Sequence, residues 1–172
     1  MGISNRLPKT DQIHAVYGLA VLFIYGWTIY WFIWNLPSWL YFLTPGEIFA
    51  LLCYSFAVNF FETFCIIAFF LIFSVILPSK WLREDFVFRA SVTMIVVLSL
   101  LMYLLANFIH LDDAYRYALY AVVVLVVSHW VLGRIRYIRL AVEGLAERST
   151  VFTYLTVPAS ILSLIVVAIR NL

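Results

Sequence analysis

The 172-residue chain reads as an all-α integral membrane protein, a bundle of five transmembrane helices with a cytoplasmic N-terminus and the C-terminus outside. Three observations carry that expectation: the composition, five long apolar stretches, and the placement of the basic residues. Hydrophobic residues make up 66% of the chain and charged residues 12%, against roughly half and about a quarter in soluble domains. A mean hydropathy of +1.04 is more apolar surface than one small soluble core can hide. Soluble enzymes, nucleic-acid binders and disordered tails are thereby excluded, and the length suits one domain, residues 1–172.

The first apolar stretch runs from Ile13 to Trp34. Arg6 and Lys9 precede it, as in a signal peptide, but the apolar region is too long and runs into Trp27, Trp31 and Trp34 instead of a small-residue cleavage site. It reads as a retained signal anchor. Pro37 is expected to stop this helix and Pro45-Gly46 to force a turn before the next. Residues 35–46 then form an outer loop, charge-free until Glu47, in which Ser38 caps a short helical piece. Its aromatic side chains, Trp39 and Tyr41 among them, suit the outer membrane interface. Such a loop is either a lid on its own bundle or a docking surface for a lipid tail or a partner helix.

The second span covers Gly46 to Leu77, about 46 Å of helix, and must tilt, kink or protrude. The third runs from Ala90 to Ile109, the fourth from Ala114 to Leu132 and the fifth from Val151 to Ile169. Each is near the ~20 residues needed to cross hydrocarbon, where the backbone must satisfy itself by forming helix. Between the last two lies an amphipathic segment, 134–148. Ile135, Ile138, Val142 and Leu145 share one face; Arg136, Arg139, Glu143 and Glu147 take the other. It is expected to prolong the fourth helix or to lie in the interface, where Arg134, Arg136 and Arg139 would meet anionic lipid. Arg139 and Glu143 have ion-pair spacing. Gly144 is a candidate bend, and Ser149 or Thr150 a candidate N-cap for the fifth span. Pro158 is expected to bend that span. Ala114 with Ala118, and Ala159 with Ser163, have the spacing of close helix contacts.

Orientation follows from the positive-inside rule. Nine of the eleven basic residues precede the first span or lie between spans two and three or four and five; only Arg116 and Arg170 fall on the other side. Trp81 and Trp130 mark the inner boundary. The expected location is the plasma (inner) membrane, with lipid, other membrane subunits or a second copy as partners and no nucleic acid. Cys53 and Cys65 are twelve residues apart in one span, about 18 Å of rise, too far for a disulfide between them.

The only acid deep in a span is Glu62, in Asn59-Phe-Phe-Glu62-Thr-Phe-Cys65. A carboxylate there costs a few kcal/mol, so the neutral acid is the favoured form. Asn59 is expected on the same face. Depth alone places Tyr25, Ser99, Tyr103, Ser160 and Ser163 at a similar level, and no Lys or Arg. Glu62 and Asn59 are therefore the leading intramembrane candidates, either fixing helix register or moving an ion. His129, about a turn and a half inside the inner boundary, is the third. His110, Asp112, Asp113 and Glu47 match no metal spacing, and the two aspartates fit the start of a helix. No metalloprotease, phosphate-loop, nucleophile-elbow or Cys-x-x-Cys motif occurs, nor a paired intramembrane acid. No catalytic residue, cofactor or metal is assigned. The expected function is a non-catalytic membrane subunit serving accessory, anchoring or assembly roles. The alternative is a small oligomeric channel or proton- or ion-coupled transporter using Glu62.

Overall fold

A computed structural model describes residues 8–76, 85–107, 111–132 and 134–171, with side chains in the fourth helix described for 117, 119–128 and 130. Among these residues the chain is all helix, with no strand. Five helices follow in order: α1 (Thr10–Phe42), α2 (Pro45–Ile76), α3 (Phe86–Ala106), α4 (Leu111–Leu132) and α5 (Arg136–Asn171). Four of them, α1, α2, α3 and α5, are long and apolar enough to cross a membrane; in α4 the apolar stretch among the described residues is Leu119–Ser128. At 1.5 Å per residue the 36 residues of α5 reach about 54 Å, far beyond a ~30 Å hydrocarbon layer.

Two helix boundaries differ from the sequence expectation. Pro37 does not stop α1, which continues through it to Phe42. The proline forfeits one backbone hydrogen bond, yet any coil in an apolar setting would forfeit several more. Residues 35–42 are thus helix, not loop, and Ser38 caps nothing there. The reversal is confined to Leu43 and Thr44. Leu43 N–H closes α1 on the Trp39 carbonyl at 2.8 Å. Thr44 and Glu47 then form a capping box: Glu47 Oε2 accepts from both the N–H and the hydroxyl of Thr44 at 2.8 Å, and Glu47 N–H returns a longer bond of 3.4 Å to Thr44 Oγ1. Pro45 occupies the first helical position, where its missing N–H costs nothing.

The second correction concerns residues 134–148. They do not prolong the fourth helix. The Ile135 carbonyl accepts from the N–H groups of Ile138 and Arg139 at 3.1 Å each, and a separate helix, α5, begins at Arg136. Gly133, a residue type that ends helices, stands at this break in the sequence. The amphipathic segment is therefore the first part of α5, continuous with the last span through Gly144 and Pro158. Ser149 and Thr150 lie inside the helix and donate to the carbonyls of Leu145 and Glu147, both at 2.7 Å, so neither is an N-cap.

The long α5 is the axis of the bundle. It packs most extensively on α1, then on α2 and α3, and α4 lies at the margin against α3. Its buried residues are Ala146, Ser149, Thr153, Thr156, Ser160 and Ser163, alternately three and four apart. That 3.5-residue period keeps one seam facing a neighbouring helix. Every residue in it is small, which lets backbones approach. At the closest point a Cβ on Gly18 would sit 2.6 Å from the Thr150 nitrogen and 2.8 Å from the Ser149 carbonyl carbon, so only glycine fits. Val16, Leu19, Ala20 and Val21 of α1 pack with Phe70 of α2, Phe86, Ala90 and Met94 of α3 and Ala146 of α5 into one core. It occupies the end of the bundle that carries Lys9 and Arg139. Of the Ala159 and Ser163 pair, Ser163 is buried in the seam and Ala159 is half-buried; Ala114 and Ala118 lie outside the described side chains.

Candidate functional site

Glu62 is separated from the bundle by one step of the helix. Asn59 and Thr63 are one turn apart and buried, with Asn59 4% exposed and Thr63 fully buried. Asn59 Oδ1 accepts from Thr28 Oγ1 at 3.1 Å, and the Thr63 hydroxyl donates to the Asn59 carbonyl at 2.7 Å. Asn59 Nδ2 has no partner among the described residues. Three residues on from Asn59, Glu62 is turned by 60° around the axis, enough to cross the boundary of the packed face. It is exposed. Among the described residues, no hydrogen bond or ion pair reaches its carboxyl group. The expectation that Asn59 and Glu62 share a face is therefore corrected.

The neighbours suggested by depth are engaged elsewhere. The Tyr25 and Ser160 hydroxyls bond to each other at 2.6 Å between α1 and α5, and the Tyr25 ring stands edge-on to Phe56 at 5.2 Å. Ser163 donates to the Ala159 carbonyl on its own helix. Ser99 and Tyr103 are exposed, with the Tyr103 ring 6.3 Å from that of Tyr117 in α4. What surrounds Glu62 is apolar and outward: Val58, Phe61, Phe64 and Phe69 are all more than half exposed, and Cys65 is exposed as well. His129 lies on α4, its side chain outside the described residues.

The aromatic candidates Trp39 and Tyr41 are helical. Trp39 packs edge-on against Phe32 at 5.3 Å, whereas Tyr41 is 85% exposed on the last turn of α1. Below them Trp27 stacks with Tyr30 at 5.8 Å and Tyr30 with Trp34 at 6.3 Å. A cleft of about 420 Å³ opens between Trp27, Trp31 and Trp39 of α1 and Ser55 of α2, with Thr28 and Asn35 on its wall.

At the opposite end the three arginines separate in role. Arg136 is exposed. Arg134 lies 4.2 Å over the Trp130 ring, a cation–π contact. Arg139 donates to Glu143 at 2.9 Å, the pairing its spacing suggested, and also pairs with Asp85 at the start of α3. The Asp85 contact was invisible in sequence because 54 residues separate the partners. It ties α5 to α3, so Arg139 is not free to face lipid. A cleft of about 340 Å³ is lined by Asp11, His14 and Glu147 among others. Among the described residues no group of three or more His, Cys, Asp or Glu side chains is arranged to hold a metal ion. His110, Asp112 and Asp113 fall outside the described side chains.

Comparison with known protein families, curated proteins and solved structures finds no match to this chain.

Proposed function

We propose that this is a non-catalytic, multi-pass protein of the plasma (inner) membrane, an accessory, anchoring or assembly subunit of a larger membrane complex, and that the outward face of α2 is its main contact surface. In this reading α4 also crosses the membrane and brings the spans to five, the end holding Lys9 and Arg139 is cytoplasmic, and the C-terminus lies outside. The supporting observation is Glu62, near the middle of a 32-residue apolar helix and turned away from its own bundle. A carboxyl group facing lipid tails at that depth costs a few kcal/mol; a protein partner that hydrogen-bonds it removes that cost. The exposed aromatics of α1 supply further apolar contact area.

The test is the native mass and composition of the protein extracted in mild detergent from its own host. Unrelated subunits in fixed stoichiometry are the expected result, and a solitary monomer would contradict it. The channel or transporter alternative places Glu62 on an ion path. Because Glu62 faces outward, that path would have to run between copies. Proton or ion flux in liposomes that disappears in Glu62→Gln would favour it, and flux unchanged by the substitution would remove it.

A further inference from the structure

The cleft of about 420 Å³ between α1 and α2 falls within the size range of small-molecule sites. Trp27, Trp31, Phe32 and Trp39 form most of its wall, and no ionisable side chain lines it. Two of its polar side chains have their donors committed to their own helices. Asn35 Nδ2 donates to the Trp31 carbonyl at 2.8 Å and Ser55 Oγ to the Leu51 carbonyl at 2.9 Å. The third, Thr28, is bonded to Asn59 of α2, one helical turn along from Ser55. At this pair the donors outnumber the acceptors. Thr28 brings one hydroxyl proton and Asn59 two amide protons. The hydroxyl proton goes to Asn59 Oδ1 at 3.1 Å, and Nδ2, in a side chain 4% exposed, has no acceptor among the described residues. With the amide turned end for end, Nδ2 donates to Thr28 Oγ1, and the hydroxyl proton on the cleft wall is free to be given to a ligand. A buried donor without an acceptor bears its full desolvation cost. An acceptor delivered through the cleft removes it.

We propose that this cleft binds the ring of a lipid-soluble quinone, with one quinone carbonyl accepting from the Thr28–Asn59 pair and the ring against the indoles of Trp27 and Trp31. Three requirements select the class. A wall without ionisable groups calls for an uncharged ligand, because a buried ion would find no counter-charge there. The surplus of donors calls for a group that accepts without donating, as a carbonyl does. Depth is the third. Asn59 is the fifteenth of the 32 residues of α2 and Thr28 the nineteenth of the 33 of α1. Where these helices cross the membrane, the pair therefore lies near its middle. The ester carbonyls of a glycerolipid stay at the edge of the hydrocarbon layer, about 15 Å from the midplane, and do not reach it. A quinone carries its carbonyls on a flat, uncharged ring that dissolves in hydrocarbon, and aromatic side chains stack such rings. The wall continues along α1 from Thr28 to Trp39, about 16 Å, which leaves room for the start of an isoprenoid tail. The site includes neither Glu62 nor the exposed aromatics around it, so it stands apart from the subunit reading.

Photolabelling of the full chain in native membranes with an azido-substituted decylubiquinone tests this. Adducts are expected to saturate, to map to residues 27–39 or to α2 around Ser55, and to disappear under excess decylubiquinone. Asn59→Leu is expected to lower the labelling about tenfold, the effect of losing one hydrogen bond to the ligand. Because Asn59 is buried, Ser55→Phe serves as a second variant. It narrows the cleft, leaves the Thr28–Asn59 bond in place, and is expected to lower labelling by about tenfold or more at an unchanged thermal midpoint. Leu155→Phe, exposed on α5, leaves labelling as it was. Labelling that never saturates, or that spreads evenly over the apolar helices, overturns the proposal. So does labelling undiminished in Ser55→Phe or in a folded Asn59→Leu. Competition by decanol as strong as by decylubiquinone would also overturn it, and would make the cleft a slot for a hydrocarbon tail.

Discussion

The buried seam of α5 and the outward face of α2 both interrupt an apolar helix with polar side chains, and they accommodate them differently. On α5, Ser149, Thr153, Thr156, Ser160 and Ser163 each return their proton to a carbonyl three or four residues back on the same helix, at 2.6–2.9 Å. Small and internally satisfied, they let α1 come within backbone distance at Gly18. The Glu62 side chain of α2 is longer, exposed and without a partner among the described residues. A hydroxyl can be hidden inside an apolar bundle by its own backbone. A carboxyl group cannot be hidden in that way, and under the proposed function a partner protein covers it.

The contrast is most sharply broken at Gly18. Gly18→Val drives side-chain atoms into the α5 backbone and is expected to cost about 3 kcal/mol or more, read as a lowered thermal midpoint and poor yield in detergent. An unchanged midpoint would mean that α1 and α5 are not in backbone contact. Tyr25→Phe leaves Ser160 its bond to the Thr156 carbonyl but removes the link between α1 and α5, a loss of about 1 kcal/mol by equilibrium unfolding. Arg139→Gln breaks both ion pairs at the other end of the seam. With the side chain 40% exposed, that costs no more than about 0.5 kcal/mol, and the loss shrinks at high salt. Smallest of all for the isolated fold is Glu62→Leu, within about 0.5 kcal/mol of the parent when unfolding is followed on the monomer. A large loss of monomer stability would place Glu62 inside the bundle and erase the difference between the two faces.

Much of the helical architecture was readable from the residues, because length and apolarity dictate helix in a membrane whatever the partners. Where the reading failed, two local signals competed. Pro37 reads locally as a stop, yet the cost of leaving backbone groups unpaired outweighs the single bond a proline forfeits. The true boundary was written as Thr44-Pro-Gly-Glu47, a capping box with proline at the first position. Residues 136–148 belong to the helix that follows and not to α4. The six small residues from Ala146 to Ser163 form a 3.5-residue seam in the sequence; the Ala159 and Ser163 spacing touches it only at Ser163. Their partner Gly18 was not legible, since a close approach between helices 130 residues apart leaves no mark in either sequence segment. Glu62 stood out at once from its charge, but its direction did not: a 60° turn separates it from Asn59, and only the packed bundle shows which of the two is inside.

The claim at the centre of this account is that protein, not lipid, covers the α2 face around Glu62. A photoreactive benzophenone side chain in place of Phe61, beside Glu62, and in a second variant in place of Leu155, 73% exposed on α5, tests it directly in native membranes. Irradiation is expected to give discrete protein adducts from position 61 and lipid adducts from position 155. Lipid adducts alone from both positions would contradict the account and leave Glu62 a carboxyl group that faces the bilayer.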